Sequence, residues 1–394
     1  MADLMLRNVR PLGNAVTDIL VQAGRIAAVG SNLATGPATA IEDGAGALLL
    51  PGLVEGHTHL DKTLWGGPWH RNEVGPTRLD RIENERTWRA ATGHDAAARS
   101  LALARDFLAN GTTRMRSHAD IDTEIGLAHL HATLRTRDDL GGAIDMQIVA
   151  FPQSGLTNRP GTEALMDTAL REGAGIVGGI DPCAIDRDPV RCLDVTFALA
   201  ERHACPVDIH LHEPGEMGAF SLDLILERTA ALGLHGKVVV SHGFCLGGIP
   251  DRDRDALLAR MARLDVAIAT TAPASSPVPP LAACRAAGVT VFGGNDGIRD
   301  TWTPYARPDM LDRAMHIGLR NALRRDEELE WAFDCVTMAA AHGCDFAQYG
   351  LAPGDRADLV LVDAGTPAEA VVTAPPRRLV VAAGRVVARD GRLV

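Results

Sequence analysis

At 394 residues and 46% hydrophobic content, the chain is long enough for one large domain plus a small one, and its longest apolar runs are far too short to cross a bilayer. A formal charge of −11 argues against nucleic acid or an anionic membrane as partner, because gripping phosphates takes a basic surface; a small-molecule ligand is expected instead. Seven scattered cysteines with no C-x-x-C pair argue against a disulfide framework and are given no catalytic role, and an N-terminus without a basic-then-apolar leader reads as cytoplasmic.

Residues 1–50 alternate in the manner of short strands: Leu4–Val9, Asp18–Gln22, a turn at Ala23-Gly24, and Arg25–Val29. Residues 351–394 behave likewise, with Asp358–Val362, Arg378–Ala382, an Ala383-Gly384 turn and Arg385–Ala388. Both termini are therefore expected to build one small β-sandwich around a central region, 51–350. There, eight strand candidates (47–57, 111–118, 145–152, 175–181, 206–212, 237–242, 265–273 and 289–296) alternate with amphipathic stretches such as Asp95–Asn110, Pro189–His203 and Ser221–Ala231. Eight strands with helical crossovers predict an α/β fold, a (β/α)₈ TIM-type barrel, whose site lies at the C-terminal strand ends.

Chemistry-bearing residues fall at those ends. His57 and His59 follow the apolar run 47–54 and, two residues apart on an extended chain, point to one side. Later strands end in His210, His242 and Asp296. His57, His59, His210 and Asp296 offer nitrogen and oxygen ligands suited to one divalent metal ion, Zn²⁺ or Fe²⁺, with a position left for water. Glu213 and His242 are placed to carry protons for hydrolysis. His212 shares the strand parity of His210 and is left as a supporting or loop residue, while Asp61 and Lys62 either bind one another or line the mouth. Only two lysines, Lys62 and Lys237, occur, and neither falls at the end of the fourth strand, Gly178-Gly179-Ile180-Asp181. Without a lysine there to bridge two ions, a one-metal centre is preferred. The segment Trp65–Asn72 reads as a long loop able to cover the pocket.

His57-Thr58-His59-Leu60-Asp61, Ser117-His118-Ala119-Asp120, Ile148–Gly155, the His210–Glu213 segment, Ser241-His242 and Asn295-Asp296 with Trp302 together resemble the amidohydrolase superfamily, and more closely its bacterial cytosine deaminase branch, over nearly the whole chain. The resemblance implies that Gln153 holds the lactam edge of a ring and that Trp302 walls the pocket. Two departures bear on the substrate: Gly297 stands where the branch carries a second acid, and the segment after His210 is longer. Asp181 is a further candidate contact to an exocyclic amine or ring nitrogen, or else a helix cap or a partner of Arg187. The leading expectation is an aminohydrolase (deaminase) that releases ammonia from a small nitrogen heterocycle such as cytosine, isocytosine or a related aminopyrimidine. A cyclic amide hydrolase is the alternative, a catalytically inactive barrel scaffold is the contrasting class, and a homo-oligomer remains open.

Overall fold

The computed structural model describes residues 3–93 and 95–394. Strands β1 (Leu4–Pro11), β2 (Thr17–Gln22), β3 (Arg25–Gly30), β4 (Ala40–Asp43) and β5 (Leu48–Pro51) open the chain. The barrel strands follow: β6 (Leu53–Thr58), β7 (Thr112–Asp120), β8 (Asp145–Phe151), β9 (Ile176–Ile180), β10 (Val207–Leu211), β11 (Val238–His242), β12 (Ala267–Thr270) and β13 (Val291–Gly293). Finally β14 (Leu359–Val362), β15 (Arg377–Ala382), β16 (Arg385–Arg389) and β17 (Arg392–Leu393) return to the first group.

The eight barrel strands pair in parallel, each with its chain neighbour, and helices run between them. Strands from both termini join in one mixed sheet of order β17-β16-β15-β14-β5-β1-β2-β3, with β4 on β1. β1 carries the sheet round a corner: Leu4–Arg7 pair with β4, whereas Arg10 and Pro11 pair with β5. Strand alternation then makes the sandwich. Leu4, Leu6, Leu49, Leu359, Leu361, Leu379 and Val381 face one another in its core. Their neighbours Leu48, Leu50, Val360 and Val362 point the other way into the main barrel cluster. The Leu48-Leu49-Leu50 run is thus apolar at every position because both of its faces are covered.

The single strand expected over 47–57 is two strands in two sheets, divided at Gly52. At this joint Gly52 N–H donates to Asp358 O (2.8 Å), and Tyr349 Oη–H donates to Gly52 O (2.6 Å). No side chain fits, since a Cβ here would lie 2.1 Å from Thr113 Oγ1 and 2.8 Å from Asp358 Cβ. The helix expected over Ser221–Ala231 begins earlier, at Gly215. No helix among the described residues is long and apolar enough to cross a membrane.

Gly52→Ala is expected to overpack this joint at a cost of ~1–3 kcal/mol. A thermal melt should show a lowered Tm; an unchanged Tm would mean that the joint is not under this constraint.

Candidate metal centre and substrate cavity

The first and last barrel strands meet at the site itself. Asp296 N–H donates to His57 O (2.8 Å), and Thr58 Oγ1–H donates to Asp296 O (3.0 Å). Below them the buried Glu55 carboxylate accepts from Asn295 Nδ2 (2.6 Å) and from the backbone N–H groups of Asn295 and His57. Asp296 and His242 both adopt positive φ, 63° and 72°, unusual for side-chain-bearing residues. Such conformations persist where the surroundings hold them, and they gather at functional sites.

All four expected metal ligands converge. His59 Nε2 lies 3.2 Å from His210 Nε2 and 3.3 Å from Asp296 Oδ1, and His57 Nε2 lies 3.8 Å from the same oxygen. His242 Nε2 is 3.9 Å from Asp296 Oδ2. Burial pushes the His57 imidazole down to about 3 and holds those of His210 and His242 well below the usual histidine range, so the rings are neutral. Burial by itself would raise the Asp296 carboxyl, but the hydrogen bond from His59 and the surrounding imidazoles outweigh it, and the group stays ionised.

The tautomer of His57 follows from its support. Ser241 Oγ–H donates to Asp208 Oδ1 (2.6 Å), so the hydroxyl has only acceptor capacity left for His57 Nδ1 at 2.9 Å. Nδ1 therefore carries the proton and Nε2 the lone pair, and this buried Nε2 has no hydrogen-bond partner among the described residues. Arg116 completes the relay, with Nη1 2.9 Å from Asp208 Oδ2. Neutral imidazoles, one carboxylate and a buried, unused lone pair aimed at the same point fit a divalent metal ion.

Above this cluster opens a cavity of about 500 Å³ lined by His59, His210, His212, His242 and Asp296, by Phe151, Ile180, Phe244 and Trp302, and by Lys62, Arg78, Arg81 and Gln153. Gln153 and Trp302 are thus both among its walls. Each is also held by protein: Gln153 Oε1 accepts from Lys62, its Nε2 donates to Glu85 Oε2 (2.8 Å), and Trp302 Nε1 donates to the same carboxylate. Lys62 lines the cavity while reaching Asp120 Oδ1 (3.0 Å), and Asp61 accepts from Asp120 N–H and pairs with His129 Nδ1 (2.8 Å).

Two expected residues and one expected segment stand away from the cavity. Glu213 is not among the lining residues: side chains alternate along β10 and its continuation, so His210 and His212 turn inward and Glu213 outward. Its carboxylate accepts from Cys183 N–H and Ala184 N–H (2.8 Å each) and from Ser221 Oγ–H (2.5 Å). Asp181 also lies behind the wall, fully buried, where it accepts from His212 N–H (2.7 Å), contacts His212 Nδ1 (3.0 Å), and pairs with Arg78 (3.0 Å) rather than Arg187. It thereby orients His212, whose ring stacks on His242 at 4.1 Å. Nor does the Trp65–Asn72 loop cover the pocket. Trp65 is tied to Asp106, and the Arg299 guanidinium lies over both Trp65 and Trp69.

The covering element is instead α1 (Arg78–Thr92), capped by Thr77, which presents Arg78, Arg81, Ile82 and Glu85 along one face. Sequence reading missed this face although its i, i+3, i+4, i+7 spacing was visible, because charged residues occupy most of it. It also named His118 within a motif but gave no role to this buried imidazole, whose ring lies 4.3 Å from that of His57.

Asp296→Ala is expected to lose the metal together with activity, read by elemental analysis of the purified protein. Ser241→Ala should keep the fold but weaken metal affinity by ~10–100-fold, the scale for groups that orient a ligand from behind.

Comparison with known proteins agrees with this architecture. The pattern of the Amidohydrolase family matches residues 40–393. The chain is similar over 100% of both lengths to the crystal structure of N-isopropylammelide isopropylaminohydrolase from Burkholderia multivorans ATCC 17616, with 63% identity and a TM-score of 0.98. It is 27% identical to N-isopropylammelide isopropyl amidohydrolase of Pseudomonas sp. (strain ADP), over 100% of this chain and 98% of that protein. It is 26% identical to the 5-methylcytosine deaminase of Klebsiella pneumoniae in its 5-fluorocytosine complex, with a TM-score of 0.87 and coverage of 98% and 97%. Fold, convergent strand ends and family pattern lead to one conclusion: this chain belongs to the amidohydrolase family and is a hydrolase of carbon–nitrogen bonds.

Proposed function

We propose that the protein hydrolyses the exocyclic carbon–nitrogen bond of an N-alkylated, oxo-substituted aminotriazine, with N-isopropylammelide as the model substrate. The supporting observation is the full-length 63% identity to a protein named for that reaction, against 26% to a 5-methylcytosine deaminase. This weight moves the reading away from ammonia release from an aminopyrimidine and toward a triazine-type hydrolysis, in which the exocyclic bond is cut and the ring itself, unlike in the ring-opening alternative, stays closed.

His57, His59, His210 and Asp296 are the proposed holders of a divalent ion, zinc or iron. When bound, such an ion supplies Lewis acidity and lowers the pKa of water. The protein's own side chains do the remainder. Phe151 and Trp302 present apolar faces to the flat ring, and Gln153 and Lys62 present polar groups to its edge. His242 and His212, stacked together on the cavity wall, are the proposed proton carriers, and Asp181 fixes the orientation of His212. In the net reaction a carbon–oxygen bond forms at the ring carbon, its bond to the alkylamine breaks, and a proton from water moves to the departing nitrogen.

Metal-loaded protein incubated with N-isopropylammelide should release isopropylamine and leave the intact trioxo ring, as read by mass spectrometry. Ring opening, or ammonia from 5-methylcytosine with no isopropylamine, would refute the proposal. His212→Ala should retain metal and lower kcat by ~10²–10⁴, the usual scale for a proton carrier. Glu213→Gln, which keeps an acceptor for Cys183 N–H and Ala184 N–H, should leave kcat near that of the wild type. The opposite ranking would return the proton-carrying role to Glu213.

A further inference from the structure

Three cationic side chains line the cavity, and their bonding differs. Lys62 is engaged by Asp120 and Gln153, and Arg78 by Asp181. Arg81 has no side-chain hydrogen bond or ion pair among the described residues, and its Nε is buried without a partner. The acid that lines the cavity beside Trp302, Asp300, spends Oδ1 on the backbone N–H groups of Trp302 and Thr303 (2.8 Å each). Arg81 is held in place by its helix. It lies one turn beyond Arg78, beside Ile82, whose side chain is buried with Phe151, Ile180 and Ile185 under Trp302.

A buried guanidinium N–H without an acceptor is costly, and a ligand that supplies the acceptor recovers that cost on binding. The guanidinium is a planar fork with two donors in one direction, which matches two coplanar oxygens rather than one. In a dioxotriazine the ring nitrogen between the two carbonyls forms such an edge, O=C–N–C=O, and deprotonation there spreads negative charge over both oxygens. That edge lies across the ring from the carbon bearing the amine.

We infer that Arg81 is a specificity-determining residue that grips the dioxo edge of the ring, selecting oxo-bearing, readily ionised triazines over their triamino counterparts and leaving the carbon opposite for hydrolysis. The inference deepens the proposed function and rests on it for the identity of the reacting carbon. The binding test below does not require turnover.

Metal-loaded wild type, Arg81→Met and Arg81→Lys would be titrated calorimetrically with 1,3,5-triazine-2,4,6-trione and with 1,3,5-triazine-2,4,6-triamine, after checking that metal content and Tm agree. Arg81→Met is expected to weaken trione binding at least about tenfold, the scale of a lost charged hydrogen bond, with Arg81→Lys intermediate and the triamine bound weakly by all three. With N-isopropylammelide the same variant should raise KM more than it lowers kcat. Unchanged trione affinity in Arg81→Met, no trione binding by wild type at millimolar concentration, or a triamine bound as tightly as the trione would overturn the inference. Arg81-dependent trione binding without isopropylamine release would instead overturn the reaction assigned above and leave the recognition of oxo rings standing.

Discussion

Closure of the barrel between its first and last strands is the constraint on which the site depends. The hydrogen bond from Asp296 N–H to His57 O and the bond from Thr58 Oγ1–H to Asp296 O fasten two segments some 240 residues apart at the level of the proposed ligands. Space enforces the same closure. A Cβ at Gly294 would fall 2.5 Å from His57 Cβ and from its carbonyl oxygen, so only glycine lets the last strand approach the first this closely. With that contact made, Asp296 has little choice but to face His57 and His59.

The barrel interior beneath the site and the side of the cavity under α1 are charged to an unusual degree. Arg116, Asp208, Ser241 and His57 form one connected line, and Lys62, Glu85, Arg89, Asp120 and Asp122 form another. Buried ion pairs contribute little net stability, because desolvation offsets their attraction, but removing one member leaves a charge stranded. Their value here is positional. The first line sets which nitrogen of His57 carries the proton, and the second holds Gln153 and Trp302 by a single carboxylate, Glu85. Burial raises the Asp120 carboxyl to about 7 against the opposing pull of the Lys62 ammonium, which shows how strongly this network is desolvated.

The cavity has two kinds of wall. The floor and the imidazole side are made by strand ends, rigid because their neighbours in the sheet hold them on both sides. The cover is α1, whose apolar anchor Ile82 seats it while Arg78 and Arg81 line the opening. Under the proposed function, substrate choice falls to α1 through Arg81, and the reaction to residues at the strand ends, His212 among them.

The sequence by itself was enough for the barrel, the terminal sheet and the convergence of His57, His59, His210, His242 and Asp296, because each of these rests on local periodicity: apolar strands of period two, and chemistry at their C-terminal ends. The same periodicity placed His210 and His212 on one side, yet adjacency along the chain drew the proton-carrying role to Glu213, which alternation turns outward. Tertiary structure decided what depends on partners distant in sequence. Asp181 proved to orient His212 rather than contact the cavity, because Arg78 arrives from α1 to pair with it. Gly52 split one apolar run between two sheets because Thr113 and Asp358 crowd it from either side. Arg81 was indistinguishable from any solvated helix arginine until the fold laid α1 over the barrel mouth and left its Nε without a partner among the described residues.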